Sequence, residues 1–507
     1  MANEFSSSAG QNTSMVGETK PRYILLALLV VAGVWGGSTL VERHRDEMWA
    51  ETFEQASGAF ARHDYAATEK ILVSILPDTE KRYPHDPRLA NVLGMLGTSY
   101  RADRNYEQAE PILKRALQLY VSISPTPSVE LGNVELNLAQ VYRDKKRLPE
   151  AEQLFSSALA IFDKDPRTTG YDRGGTLLNL GFVCVEQGRY TEAEPLLVRA
   201  VAAYESYPPA SMHPDLASAF FQLAELYRFQ GRFSEAEAQY LKALAIQEKV
   251  LGPQNQTTIG SLEGLATAYQ GQGKTSEARQ LLARVRQVSE NISAQGANAN
   301  GGTLIELGSV AENQGKYTQA ESLYKQAIAA YEKSPGPEPG NIATALDDLG
   351  CLYRDQEQFR LAQAEPIFRR ALAIREKSLG PDHPDTATTL SDLSLLYFYE
   401  HKFAEAERLG ERALSIHEKA YGPEGLQVAT DLNRVGLAQR DQHKFGLAEI
   451  ALKRALAIRV KHLSPQHSWI AVSLENLASL YLLQGKQDKA APLLARAQAI
   501  RSHPSAS

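Results

Sequence analysis

Along most of this chain the apolar positions recur with the 3.6-residue period of an amphipathic helix, in short segments that come in pairs. One pair is legible in DDLGCLYRDQEQFRLAQAEPIFRRAL, residues 347–372. A first helix ends in a Tyr-containing turn, a second begins near Ala364-Glu365, and a loop with Gly380-Pro381-Asp382-His383-Pro384 leads into the same pattern again. The alanine opening each second helix recurs as Ala109, Ala151, Ala193, Ala236, Ala278, Ala320, Ala364, Ala406, Ala448 and Ala490, at spacings of 42, 42, 43, 42, 42, 44, 42, 42 and 42. Thr68 extends the series by one unit of 41. The period predicts eleven helix–turn–helix units from about Met48 to Ser502, stacked on their neighbours instead of folded round one core.

Each recurring slot has a packing reason. Leu138-Ala139, Leu180-Gly181, Leu223-Ala224, Leu349-Gly350 and Leu477-Ala478 set a large apolar residue beside a small one, so the paired helix can come close. Three residues on, Tyr100, Tyr142, Tyr227, Tyr269, Tyr353, Tyr397 and Tyr481 lie on the same face. Gly188, Gly231, Gly273, Gly315 and Gly485 follow where the first helix must end in a left-handed residue. The pattern resembles the tetratricopeptide repeat in its 42-residue form, best known from kinesin light chains and many bacterial proteins. LGPDHPDTATTL at 379–390 and AEPIFRRALAIREKSLG at 364–380 carry the likeness most closely. The resemblance implies an all-α, right-handed helical-repeat solenoid with a concave groove lined by first helices that grips an extended peptide. No heptad coiled coil precedes the repeats, which argues against a motor-subunit role as a cargo adaptor.

The N-terminus reads differently. Residues 1–22 are rich in Ser, Asn and Gly and are expected to be a disordered tail. Tyr23 to Val41 is a run of 19 uncharged residues, about 29 Å as a helix against a hydrocarbon thickness of ~30 Å. It predicts a transmembrane helix, with a cleaved signal peptide as the rival, and Gly33 with Gly37 form a GxxxG pair suited to weak dimerisation. Lys20 and Arg22 before the span are balanced by Arg43 and Arg45 after it; the basic pair ahead of a first apolar segment favours a signal-anchor with the repeats on the non-cytoplasmic side. Repeats one to six then occupy 48–288, a Gly/Asn/Ser-rich stretch at 289–302 reads as a flexible joint, repeats seven to eleven occupy 303–502, and 503–507 is a polar tail.

No residue set supports catalysis or a cofactor. AYQGQGKT at 268–275 imitates a phosphate-binding loop but falls in the ordinary turn between paired helices. The histidines recur only because the repeat does: His401 and His443 are 42 apart, His383 and His467 are 84 apart. Cys184 and Cys351 read as small packing residues. A net charge of −6 without a basic stripe lacks the footprint of nucleic-acid binding. What remains is a groove for a protein or extended peptide. The residue before the Leu of each Leu-small pair is a candidate contact: Asn137, Asn179, Gln222, Glu306, Asp348, Asp392, Arg434 and Asn476. Other inward slots add Arg143, Arg228, Glu263, Asp347 and Arg354. Repeats six to nine offer Glu263, Glu306, Glu312, Asp347, Asp348, Asp355 and Asp392 against Arg354 alone, so the expected partner is basic. The expectation is a membrane-tethered interaction scaffold; a structural subunit of an envelope complex, joined through solenoid ends, is the alternative.

Overall fold

A computed structural model describes residues 37–123, 126–207, 213–253, 255, 257–294, 301–313, 315–333, 339–356 and 360–502. Among them are 22 helices in eleven antiparallel pairs. The first six pairs are α1 (Gly37–Ala61) with α2 (Tyr65–Arg82), α3 (Pro87–Ala102) with α4 (Tyr106–Ile123), α5 (Val129–Asp144) with α6 (Leu148–Lys164), α7 (Gly170–Glu186) with α8 (Tyr190–Glu205), α9 (Pro214–Phe229) with α10 (Phe233–Leu251), and α11 (Thr257–Gly271) with α12 (Thr275–Ala294). The other five are α13 (Gly301–Asn313) with α14 (Tyr317–Lys333), α15 (Pro339–Asp355) with α16 (Leu361–Ser378), α17 (Pro384–Tyr399) with α18 (Phe403–Tyr421), α19 (Leu426–Asp441) with α20 (Phe445–His462), and α21 (Ser468–Leu483) with α22 (Gln487–Ser502).

The turn inside ten of the eleven pairs is built the same way; the turn between α15 and α16 includes residues 357–359, outside those described. Gly188, Gly231, Gly273, Gly315 and Gly485 have φ between +70° and +76°. Where the sequence has no glycine, His63, Arg104, Lys146, His401 and His443 adopt the same left-handed conformation, at φ +56° to +59°. The stack imposes the turn on whatever residue stands there. The small-residue slot works by close approach: a Cβ on Gly350 would stand 2.7 Å from the ring of Phe368, which is fully buried.

The contacts divide the chain into two compact units, Met1–Leu119 and Tyr120–Ser507. In the first, Leu72, Leu89, Leu93, Leu96 and Leu113 form the apolar interior. In the second, one cluster runs through Tyr324, Leu346, Phe368, Leu390 and Ile416, and another through Tyr190, Leu223 and Tyr240. Of the expected joint, residues up to Ala294 prolong α12 and Gly301 opens α13; residues 295–300 lie outside those described.

The expected transmembrane helix at 23–41, and with it a single-pass membrane location, must be corrected. Residues 37–41 open α1, which continues through Glu42, Arg43, Arg45, Asp46 and Glu47. Charges at that density forbid burial in hydrocarbon, and α1 is bound by its other half: Trp49 Nε1 donates to Thr79 Oγ1 at 2.8 Å, and its ring stacks on Phe53. Among the described residues no helix is long and apolar enough to cross a membrane. Residues 1–36, Gly33 included, lie outside the described residues.

Candidate partner-binding wall

On both sides of residues 295–300, the first helices of successive repeats in the second unit touch one another (α7 with α9, α17 with α19), and successive second helices pack on each other less. A stack whose first helices crowd together is curved with those helices inside, so they form the inner wall.

Polar side chains cross from repeat to repeat along that wall. Arg143 pairs with Asp144 at 2.6 Å and donates to the Asn179 side-chain oxygen on the next first helix. Arg354 repeats the arrangement, pairing with Asp355 at 2.7 Å and reaching Asp392 at 3.0 Å. Arg434 reaches the same Asp392 from the other side at 3.2 Å and donates to Ser391 Oγ at 2.6 Å. Asn476 Nδ2 donates to Asn433 Oδ1 at 3.0 Å. Five of the sequence-predicted residues are thus brought together, Arg143 with Asn179, and Arg354 and Arg434 with Asp392. Arg440, paired with Asp441 and donating to Ser479 Oγ at 2.7 Å, belongs to the ladder as well and was not singled out by its sequence.

The remaining candidates are dispersed. Asn137 is half-buried and turns back to the Asn133 carbonyl at 2.8 Å. Arg228 pairs with Glu225 at 2.5 Å, and Gln222 and Glu263 are half-buried on α9 and α11. Glu306 lies on α13, but its side chain is outside the described residues. Asp347 is not on the wall surface at all. It is 7% exposed and meets Arg375 of α16 at 2.6 Å, with Thr389 donating at 3.0 Å.

That ion pair belongs to a ladder that sequence reading passed over. Arg375, His417 and Arg459 stand 42 residues apart on successive second helices, all buried. Each reaches a polar residue 14 positions on: Arg375 to Thr389 at 2.8 Å, His417 to Asp431 at 2.6 Å, Arg459 to Ser473 at 2.8 Å. The 42-residue period that located the alanines also marks this slot, but a basic residue on a second helix reads as solvated surface until its burial is known.

With Arg375 and Arg434 counted, the acidic excess of repeats six to nine contracts to a smaller place. Asp348 makes no ion pair or hydrogen bond with a described residue; burial, and after it the nearby Glu312 carboxylate, push its pKa up to about 6. Burial raises Glu312 too, though Tyr324 donates to it at 2.8 Å. At the turn edge of the following repeats, Leu361, Phe398, Tyr399 and Phe403, with Arg354 and Asp441, line an open recess of about 440 Å³. Among the described residues no cluster of ligating side chains suits a metal ion.

Comparison with known proteins agrees with the repeat. A tetratricopeptide repeat model matches residues 130–206, 215–291, 301–364, 356–419 and 397–461, and a second tetratricopeptide repeat model matches 89–124. No curated protein matches. Solved structures similar to it include BtubC (BKLC) from P. vanneervenii, 22% identical over 44% of this chain and 88% of that one, with a TM-score of 0.38. A putative kinesin light chain of Podospora anserina is 22% identical over 39% of this chain and 93% of its own, at 0.34. Yeast Tom70 is 14% identical over 90% and 92%, at 0.44. Together, the period, the paired helices and the matched segments place this chain in the tetratricopeptide repeat family.

Proposed function

We propose that the protein is a protein–protein interaction scaffold, and that its inner wall holds an extended segment of a partner with a Lys or Arg side chain set against Asp348 and Glu312. The observation that carries the reading is the state of those two carboxylates. Asp347, Asp355 and Asp392 are spent on Arg354, Arg375 and Arg434. Asp348 and Glu312 are half-buried and form no ion pair with a described residue; burial raises both, and Arg375 and Arg354 only partly oppose it. A cationic side chain delivered there relieves a standing electrostatic cost and exchanges little water for it. Asn137 and Asn179, whose amides now bond within the chain, could exchange those bonds for a neutral peptide main chain, since an amide both donates and accepts.

The test is to pan a random peptide display library on the full chain and measure the affinity of the Lys- and Arg-containing peptides it returns. Asp348→Asn with Glu312→Gln should weaken them and flatten their salt dependence. Glu376→Gln with Glu418→Gln, whose partners are Arg412 and Arg454 on second helices, should not. Equal effects from the two pairs would show that the peptides read overall charge and not the wall.

A further inference from the structure

The second unit touches itself across a distance the repeat does not explain. Gln427 Nε2 donates to the Glu186 carbonyl at 3.0 Å, 241 residues away in sequence. A Cβ on Gly188 would stand 2.6 Å from the Leu426 amide nitrogen, and one on Gly425 would stand 3.1 Å from the Gln187 carbonyl. On either side of this contact the pattern repeats: His383 meets the backbone of Lys145, and His467 meets the backbone of Phe229. The pairs 145 with 383, 187 with 425 and 229 with 467 are each 238 residues apart. Three consecutive intra-pair turns of repeats three to five are therefore docked, in register, on three consecutive inter-repeat loops before α17, α19 and α21.

The contact is packed, not grazing. Leu426, Tyr421, His462 and Leu463 are all under 9% exposed, and one continuous apolar cluster joins Cys184, Tyr190 and Leu216 to Leu426, Val428 and Ile470. The histidines serve both sides. His383 Nδ1 accepts the Asp385 amide and His467 Nδ1 the Trp469 amide, both at 3.1 Å, capping α17 and α21, while each ring also faces the turn across the contact.

We infer that this seam is a latch: it closes one superhelical turn on itself, so the inner wall is walled in along its flank and a partner segment must thread from an end of the turn or wait for the seam to part. The inference rests on the inner wall being the binding site, but the seam can be tested without any peptide.

The experiment uses the full chain and compares Gly188→Ala with Gly273→Ala. Both glycines occupy the same turn slot, at φ +71° and +76°, so both substitutions carry the same backbone strain. Only Gly188 faces another segment; nothing lies within 4 Å of a Cβ at Gly273. Small-angle scattering is recorded for each, with amide hydrogen exchange of the segments around Gln187 and Leu426. The expected result is that Gly188→Ala expands the particle and speeds exchange in both segments several-fold, while Gly273→Ala does neither. Gln427→Ala, which removes a seam hydrogen bond without backbone strain, should act in the same direction if Gly188→Ala fails to fold. A Gln187→Cys, Gly425→Cys pair in a chain otherwise free of cysteine should close to a disulfide on mild oxidation with the scattering unchanged. Failure of that disulfide to form, or equal behaviour of the two glycine variants, would overturn the latch. Loss of peptide binding in the Asp348 and Glu312 variants with an intact disulfide would leave it standing.

Discussion

Replacing Arg375 with Met would break a deeply buried ion pair behind the wall while keeping most of the side chain's volume. The guanidinium meets Asp347 at 2.6 Å, the Asp385 carbonyl at 2.7 Å and Thr389 Oγ at 2.8 Å. Removing one partner of a buried pair costs ~3–5 kcal/mol, since the other charge is left uncompensated. Asp347 has a way out, because burial already pushes its pKa up to about 7, against the pull of Arg375. Without Arg375 its folded pKa rises further, so the native carboxyl keeps its proton. Raised folded pKa values contribute stability that is lost as pH rises. In the wild type this loss is complete once Asp347 ionises near pH 7; in the variant it continues, at about 1.4 kcal/mol per pH unit. The deficit of Arg375→Met should therefore be near constant from pH 5 to 7 and widen between pH 7 and 8.5. Urea denaturation followed by circular dichroism at pH 6, 7 and 8.5 measures it, and adding Asp347→Asn should abolish the widening. A deficit equal at pH 6 and 8.5, or unchanged by Asp347→Asn, would refute the account.

Three further outcomes are expected. Because Asp348 carries a pKa of about 6, it loses its charge as pH falls from 7 to 5; calorimetry of Lys-containing peptides should show weaker binding at pH 5, and proton release on binding near pH 6. The seam should weaken in acid. Burial lowers His467 to about 4, with Arg459 acting in the same direction and the Phe229 backbone against it; His383 is lowered too, by burial, Lys146 and Arg375, against Asp385 and the Lys145 backbone. An opened seam lets these rings titrate near their ordinary 6.5, so the closed form is fully favoured above that pH and loses ground as pH falls towards 4; scattering at pH 7.5 and 5 should show expansion, blunted by His467→Asn. Finally, His443→Gly relieves a left-handed residue at φ +59° and should stabilise the chain by up to about 1 kcal/mol, after the entropy that glycine forfeits on folding; thermal unfolding reads the sign, and a loss would show that the ring's contact with Phe445 matters more.

The sequence by itself determined everything that a single repeat can encode. Ala109 to Ala490, the Leu-small pairs and the turn glycines fixed the all-α stack and its eleven helix pairs, because packing in a solenoid is between neighbours and neighbours share a period. It also put Arg143 and Asn179, and Arg354 and Asp392, in slots that prove to face each other. The apolar run at 23–41 misled, since hydropathy alone cannot show that its last residues open a charged helix packed on α2. Burial decided the rest. Asp347 and Asp348 are adjacent in sequence and equally acidic, yet one is paired inside the stack with Arg375 and the other forms no ion pair with a described residue. The seam was beyond any sequence reading: Gly188 and Leu426 are brought together by the sum of small rotations over the repeats between them, and no single repeat records where that sum closes.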